Sequence, residues 1–306
     1  FTVNGYKPTP TLDAIANQEY LNTAGAKTVS LTGISARHTN RQPIAVTVTS
    51  TNNAIFTTAP TITYTSPNAT GLVNLPIKAG ASGTSTLTVT VTDTTGGLGT
   101  NTKSQTFTVK SYHPTPIGPT PVLANKEYYD TDAAQAINFA GIAARHPDTN
   151  TLSVTVASTN NAIFASAPTV TYTSPSASGT INLDPKAGTS GISTLTLTIT
   201  DAAGGLGTNT KTQSFTVKVY KPLTGPDPVI TDQQYQDTDG VQAIALTGIS
   251  ARYPTNSLSV TVASTNNAIF TAAPTITYTS PNATGTLNLT PKAGTSGTST
   301  LTITVS

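Results

Sequence analysis

A long internal repeat limits the folds available to this chain. The segment Ser50–Phe56 recurs as Ser158–Phe164 and again as Ser264–Phe270, so the copies lie about 107 residues apart. Repeats of that length exceed those of solenoid proteins and match the size of a small domain. The sequence therefore predicts three tandem domains, each long enough to bury a core of its own.

Apolar residues alternate with Thr and Ser in these repeats, which is typical of strands with one buried face. With a first strand near Val122, the second repeat has about seven such segments. Their apolar residues are Ile137 and Phe139; Leu152, Val154 and Val156; Val170 and Tyr172; Ile181 and Leu183; Leu195, Leu197 and Ile199; and Phe215, Val217 and Val219. We predict an all-β chain of three tandem seven-stranded Ig-like β-sandwiches, the last missing its final strand.

The chain begins with a segment that matches the end of a repeat, and its third repeat lacks that end. Phe1-Thr2-Val3 matches Phe107–Val109 and Phe215–Val217, which close the first two repeats. The hairpin that precedes each of those closing strands has no third copy before Ser306. The predicted layout is a donor-type strand and linker at 1–7, repeats at 8–110 and 111–219, and an incomplete repeat at 220–306. Pro-rich linkers at 113–121 and 222–228 predict a semi-rigid rod.

An incomplete third sandwich should expose an apolar groove, which soluble proteins avoid. We expect Leu301, Ile303 and Val305 to line this groove. Phe1 and Val3 of another copy would fill it, with Thr2 facing outward. The alternative is a piece of a longer surface protein, in which Phe1–Val3 belongs to a preceding domain of the same polypeptide.

Composition favours a protein outside the cell. Cys, Met and Trp are absent, and 9% of residues are charged. The absence of Cys excludes disulfides and thiolate metal sites. A net charge of +2 from scattered Lys and Arg gives no basic stripe for nucleic acid. No apolar run approaches the length of a membrane span. We expect no cofactor, no nucleic-acid partner and no membrane span.

Several polar motifs could bind ligands, but each also has a structural interpretation. Asp130-Thr131-Asp132 and Asp237-Thr238-Asp239 could share Ca²⁺. The first repeat has Asn22-Thr23-Ala24 there, which favours a polar turn. The Gly-rich segments at 96–99 and 204–207 have no helix after them, so a hairpin turn is favoured over a phosphate loop. His38 and His146 are matched by Tyr253, which indicates exposed loop residues rather than catalytic ones. We expect no enzymatic activity.

Other repeated residues raise possibilities that the sequence leaves open. Tyr64, Tyr172 and Tyr278 are expected to pack at the core or its rim, with a sugar-stacking platform as the minority interpretation. Asn68, Asn282 and Asn288 begin N-glycosylation patterns. The lysines that follow Asn74, Asn182 and Asn288 by four residues could form isopeptide bonds if they are buried; otherwise they are ordinary surface residues. These lysines are Lys78, Lys186 and Lys292.

Three segments carry a resemblance to a known group of proteins: Pro10–Asn17, Ile62–Pro67 and Leu87–Asp93. Together they resemble the tandem Ig-like or cadherin-like repeats of large prokaryotic surface proteins. That resemblance implies stalks, adhesins or fibre subunits. The strand arrangement is similar to that of donor-strand-complemented pili and archaeal thread filaments. We therefore expect an extracellular or cell-surface filament subunit that joins other copies head to tail. The alternatives are an adhesin stalk and, less favoured, a carbohydrate-binding module.

Overall fold

The computed structural model describes residues 1–3, 5, 7–38, 43–94, 99–149 and 151–306. Parts of two segments named above lie outside these ranges: Asn4 and Tyr6 of the segment 1–7, and residues 96–98 of the first Gly-rich segment. Within the described ranges, the regular structure consists of strands and short 3-10 turns, so the all-β prediction is confirmed. No helix among the described residues has the length and apolar character needed to cross a membrane.

The first repeat forms two sheets from seven strands. One sheet has the order β1-β7-β6-β3, and the other has the order β2-β5-β4. The pairs are antiparallel except β1 with β7, which is parallel. The strands are β1 (Gln18–Leu21), β2 (Ala26–Leu31), β3 (Ile44–Ser50), β4 (Thr61–Thr63), β5 (Gly71–Pro76), β6 (Gly83–Asp93) and β7 (Thr102–Tyr112).

The second repeat has the same topology, with sheets β10-β13-β14-β8 and β11-β12-β9. Its first strand begins at Lys126, so the strand expected near Val122 was placed too early, and Val122 itself is exposed. The strands are β8 (Lys126–Tyr129), β9 (Gln135–Ala140), β10 (Leu152–Ser158), β11 (Thr169–Thr171), β12 (Ser178–Leu183), β13 (Gly191–Asp201) and β14 (Thr210–Tyr220).

The third repeat keeps one sheet whole and has only part of the other. The sheet β15-β18-β17 corresponds to β2-β5-β4, whereas the second sheet contains only β16 and β19 among the described residues. The strands are β15 (Gln242–Leu246), β16 (Val260–Ser264), β17 (Thr275–Tyr278), β18 (Gly285–Leu289) and β19 (Leu301–Val305).

Buried apolar side chains form three separate clusters, one in each repeat. Strand β13 shows why the alternation predicts them, because every second residue is buried along it. Facing sheets bury the inward residues, and the Thr side chains between them point outward. The inward residues predicted for the second repeat are at most 3% exposed: Leu195, Leu197, Ile199, Phe215 and Val217.

The repeated segment Ser-Thr-Asn-Asn-Ala-Ile-Phe makes a 3-10 turn in each of the three repeats. In the second repeat the turn spans Asn161–Ile163, and the Asn160 side chain accepts a hydrogen bond from the Ala162 N–H. Asn favours such a capping position because its side-chain oxygen satisfies an N–H left unpaired at the start of the turn. Ile163 then enters the core, where it is 2% exposed.

Candidate functional site

The strand that closes a repeat occupies the middle of its sheet. In the first repeat, β7 lies between β1 and β6. Phe107 is opposite Leu87, and Val109 is opposite Ser85 on one side and Gln18 on the other. The second repeat has the same register, with Phe215 opposite Leu195 and Val217 opposite Ser193. A closing strand therefore satisfies backbone groups on both of its edges and places two apolar side chains in the core.

In the third repeat the corresponding position is an open groove of about 1100 Å³. Residues 233–236, which match β8, have no strand structure, and β19 pairs only with β16. We call this feature the acceptor groove. It is lined by residues that face the core in the other repeats, among them Ile230, Tyr235, Ile244, Ile269, Phe270, Leu287, Leu289, Leu301 and Ile303.

Exposure of the groove residues shows how much cover a closing strand provides. Leu87 and Val89 of the first repeat are 0% exposed, whereas the matching Leu301 and Ile303 are only half-buried. Val305, the third residue expected in the groove, is also half-buried but does not line it. Phe1, Thr2 and Val3 are exposed.

A buried ion pair holds the end of each complete sandwich. Arg145 and Asp201 are 2% and 1% exposed, and the Arg145 Nε lies 3.2 Å from the Asp201 Oδ2. The guanidinium also donates to the carbonyls of Ala203, Leu206 and Gly207 at 2.6, 2.9 and 3.2 Å. The Gly-rich hairpin loop therefore wraps around a cation, which supports the hairpin interpretation of residues 204–207. The first repeat has the same pair, Arg37 and Asp93, at 3.3 Å.

The repeated arginine has a different setting in the third repeat. Arg252 is exposed, and its guanidinium donates to the Tyr129 hydroxyl of the second repeat at 3.1 Å. The cation also lies over the Tyr129 ring, 5.7 Å from its centroid. The arginine and the carboxylate that follows it by 56 residues recur together in the first two repeats, and this is the sequence signal for the buried pair.

A backbone hydrogen bond ties each linker to the domain that follows it. The His113 N–H donates to the Arg145 carbonyl at 2.8 Å, and the Lys7 and Lys221 N–H groups donate to the matching carbonyls of Arg37 and Arg252. The His113 side chain contacts the domain before it, because its Nδ1 accepts from the Asn22 Nδ2 at 2.9 Å. Burial lowers the pKa of His113. The neutral ring that this favours is the form that can accept a hydrogen bond.

His146 is fully buried at the junction of the first two repeats, so the expectation of an exposed loop residue was wrong for it. Its Nδ1 accepts from the Asp148 N–H at 3.1 Å, and its Nε2 lies 3.3 Å from the Thr84 Oγ1. The Thr84 hydroxyl donates to the Asp148 Oδ2 at 2.6 Å, and the Tyr112 ring lies 4.8 Å from the imidazole. This histidine therefore joins two domains.

The acidic motifs form turns in which each carboxylate accepts a hydrogen bond from a backbone N–H group. Asp130 is 4% exposed, and its Oδ2 accepts from the Gly188 N–H at 2.7 Å. Its Oδ1 is buried without a hydrogen-bond partner in the described part of the chain. Asp132 accepts from the Tyr129 N–H. The described residues contain no group of three or more His, Asp or Glu side chains that could hold a metal ion.

The remaining repeated side chains have structural positions. The three tyrosines pack against the cores, and their hydroxyls donate to backbone carbonyls four residues on. Lys78, Lys186 and Lys292 are exposed, which favours the ordinary surface interpretation over isopeptide bonds. Asn68 and Asn282 lie in exposed turns, whereas the Asn288 Nδ2 donates to the Thr277 Oγ1 at 3.1 Å.

Comparison with known proteins finds solved structures of similar shape. No protein-family model matches the chain. No curated protein sequence matches it either. Among solved structures, it is similar to the I-band fragment I67-I69 from titin, with 15% identity, a TM-score of 0.47, and coverage of 93% of this chain and 89% of that fragment. The CFA/I adhesin CfaE of enterotoxigenic E. coli gives 8% identity, a TM-score of 0.43, and 71% and 99% coverage. Protocadherin Gamma B2 gives 14% identity, a TM-score of 0.38, and 95% and 54% coverage.

Proposed function

We propose that this protein is the structural subunit of an extracellular filament, and that copies join head to tail by strand exchange. The observation that carries the proposal is the acceptor groove, which lies where the other two repeats hold their closing strands. The proposed occupant is Phe1–Val3 of a second copy. These residues repeat the sequence that fills the same position in both complete domains.

The register of the complete domains fixes where the incoming strand would lie. Phe1 would face Leu301, as Phe215 faces Leu195, and Val3 would face Ser299, as Val217 faces Ser193. Ile303 would lie opposite the position two residues before Phe1, as Leu197 lies opposite Gln213. The donor segment therefore covers the part of the groove around Ser299 and Leu301.

The energy of this exchange is a large share of a domain's stability. Burial of a Phe or Val side chain contributes about 1.5–3 kcal/mol each, so the two together contribute about 3–6 kcal/mol. Small domains are stable by only about 5–15 kcal/mol. Backbone hydrogen bonds to both neighbouring strands would add to this. The third domain should therefore gain most of its missing stability when a strand is supplied.

The donor segment and the acceptor groove are different surfaces, so the contact between copies is heterologous. Such a contact builds an open filament when the rotation from one copy to the next does not close a ring. The Lys7 N–H donates to the first domain as the Lys221 N–H donates to the third. This shared anchor supports the same spacing between domains across a junction as within the chain. We assign the chain no catalytic role, and other copies are its proposed partners. Exposed turns at Asn68 and Asn282 are proposed sites for surface glycans.

The experiment adds a peptide of sequence Phe1–Pro8 to purified protein and follows unfolding of the third domain by calorimetry. We expect the peptide to raise the melting temperature of that domain only and to cap filament growth under the electron microscope. The matched control peptide carries Asp in place of Phe1 and Val3, and it should do neither. Deletion of residues 1–5 should abolish filaments and leave the first two domains folded.

The adhesin-stalk alternative makes the opposite prediction. In a longer polypeptide, residues after Ser306 would fill the groove from the same chain, so the peptide would find no site. Intact mass of the native protein separates the two, because strand exchange of this chain requires subunits near 31.2 kDa. Filaments that persist after deletion of residues 1–5 would count against the proposal.

A further inference from the structure

The first two domains meet through a contact between a histidine and a threonine. His146 of the second domain is 0% exposed, and its Nε2 lies 3.3 Å from the Thr84 Oγ1 of the first domain. The His146 Nδ1 accepts from the Asp148 N–H, so the ring carries its proton on Nε2 and donates it to the threonine hydroxyl. The first domain thus covers a polar side chain of the second.

The same two residues recur in the third and first domains. Thr298 matches Thr84, each between a glycine and a serine, and His38 matches His146. Their exposure differs from that of their counterparts. Thr298 is exposed and His38 is half-buried, whereas Thr84 is half-buried and His146 is fully buried. Both are therefore accessible to a domain of another copy.

Thr298 is held in the third domain as Thr84 is held in the first. The Thr84 carbonyl accepts from the Asn52 Nδ2 at 3.1 Å, and the Thr298 carbonyl accepts from the Asn266 Nδ2 at 3.4 Å. The serine that follows each threonine is hydrogen bonded to a second serine, at 2.7 and 2.8 Å. These bonds do not involve the closing strand, so Thr298 is in place although the acceptor groove is open.

The loop that carries His38 is held like the loop that carries His146. The residue before each histidine, Arg37 or Arg145, forms the buried ion pair described above. The backbone N–H groups of these arginines donate to the same carboxylates, at 3.1 and 3.0 Å. The two sides of the contact between the first and second domains are therefore both present, one on the third domain and one on the first.

The second junction shows the effect of replacing both residues. Ile192 matches Thr84, and Tyr253 matches His146, so the hydroxyl that would accept the hydrogen bond is missing. Ile192 is 44% exposed, and Tyr253 packs instead on the Tyr220 ring at 5.3 Å. A cleft of about 320 Å³ opens beside Arg252. The histidine–threonine contact therefore accompanies the closed junction and is missing from the open one.

We infer that His38 of the copy that donates the strand forms a hydrogen bond with Thr298 of the copy that accepts it, which closes the junction between copies as His146 and Thr84 close the first junction. This inference rests on the proposed function. The linker supports it, because the Lys7 N–H donates to the Arg37 carbonyl at 2.8 Å, as the His113 N–H donates to the Arg145 carbonyl at 2.8 Å. The donor strand supplies adhesion, and this contact fixes how the two copies are oriented.

Charge substitutions at the two positions test the contact. Thr298→Lys and His38→Asp each put an unpaired charge into a covered contact, so each variant alone should assemble at least about tenfold less tightly than the wild type. An equimolar mixture should recover, because each junction between the two variants is either Lys against Asp or the native pair. Thr298→Val keeps the shape and removes the hydroxyl, and it should weaken assembly about fivefold. Light scattering gives the critical concentration for assembly.

Two controls accompany these variants. Thr84→Lys places the same side chain at the first junction, where the two domains are joined covalently, so filaments should still form with the wild-type critical concentration. The Phe1–Pro8 peptide does not include His38. It should therefore stabilise the third domain of Thr298→Lys as much as that of the wild type, which also shows that the variant is folded.

The outcomes distinguish this inference from the proposed function. Single variants that assemble as tightly as the wild type, or a mixture no better than its components, would overturn the contact, while stabilisation by the peptide would leave strand exchange standing. A peptide that does not stabilise the wild-type third domain would overturn strand exchange and the contact together. Recovery in the mixture supports the contact, since two defective copies rescue each other only when the changed residues meet across the junction.

Discussion

Arg145, the buried arginine of the second repeat, gives a quantitative test of the fold. Its exposed counterpart in the third repeat, Arg252, serves as the control. Arg145→Ala removes the side chain that pairs with Asp201 at 3.2 Å, and both residues are almost fully buried. Removal of one partner from a buried pair costs about 3–5 kcal/mol. Asp201 keeps two backbone donors, the N–H groups of Arg145 and Ala203 at 3.0 and 3.1 Å, so we expect the lower end of this range.

The loss should appear as a large fall in the melting temperature of one domain. For a domain of this size, about 1 kcal/mol corresponds to 4–8 °C, so a loss of about 3 kcal/mol predicts a shift of at least 12 °C. Differential scanning calorimetry on the whole chain measures it, and hydrogen exchange assigns the shift to β13 and β14. Arg252→Ala, at the exposed counterpart, removes a hydrogen bond and a cation–π contact and should cost less than about 1 kcal/mol.

Asp201→Asn separates charge from shape in the same pair. The amide has nearly the size of the carboxylate, but it leaves the buried guanidinium without a counter-charge, so it should also destabilise the second domain strongly. Equal, small effects of Arg145→Ala and Arg252→Ala would refute the argument that burial makes this pair costly to break.

Two further predictions concern the first two domains. Leu197→Asp should unfold the second domain, since Leu197 is 0% exposed and an unpaired charge cannot be accommodated there, and an unchanged melting curve would contradict the core assignment. The lowered pKa of His113 means that the unfolded chain binds a proton more readily, so stability should fall as pH drops below about 6.5. His113→Gln should flatten that dependence in a pH series of melting curves.

The sandwich cores could be predicted from the sequence because their signal is local. Alternation in β13 assigns Leu195, Leu197 and Ile199 to one face whatever the rest of the chain does. Short first strands lack such a signal. The strand β8 contains Lys-Glu-Tyr-Tyr, and it forms because the end of β14 offers it a parallel partner. A strand defined by its partner cannot be placed by its own residues, which is why Val122 was a wrong choice.

Burial of polar residues was harder to predict for the same reason. His146 was assigned to an exposed loop because Tyr253 replaces it in the third repeat, and its burial depends on Thr84 and Tyr112, about 62 and 34 residues earlier in the chain. The partners of Arg145 lie in a hairpin that the periodic pattern does not cover. Comparison of the repeats position by position could have found the buried pair, since Arg145 and Asp201 recur together as Arg37 and Asp93.

The central position of the closing strand explains why one short segment can decide the state of a whole domain. An edge strand shares hydrogen bonds with a single neighbour, so its loss would leave a smaller but intact sheet. The closing strand joins β1 to β6 in the first repeat, and without its counterpart the third repeat has an unpaired segment at 233–236 and a sheet of two strands. A strand inserted there would restore two ladders and a core at once. The strength of such a junction would then approach the stability of the domain itself, and a filament built from it would part only when a domain unfolds.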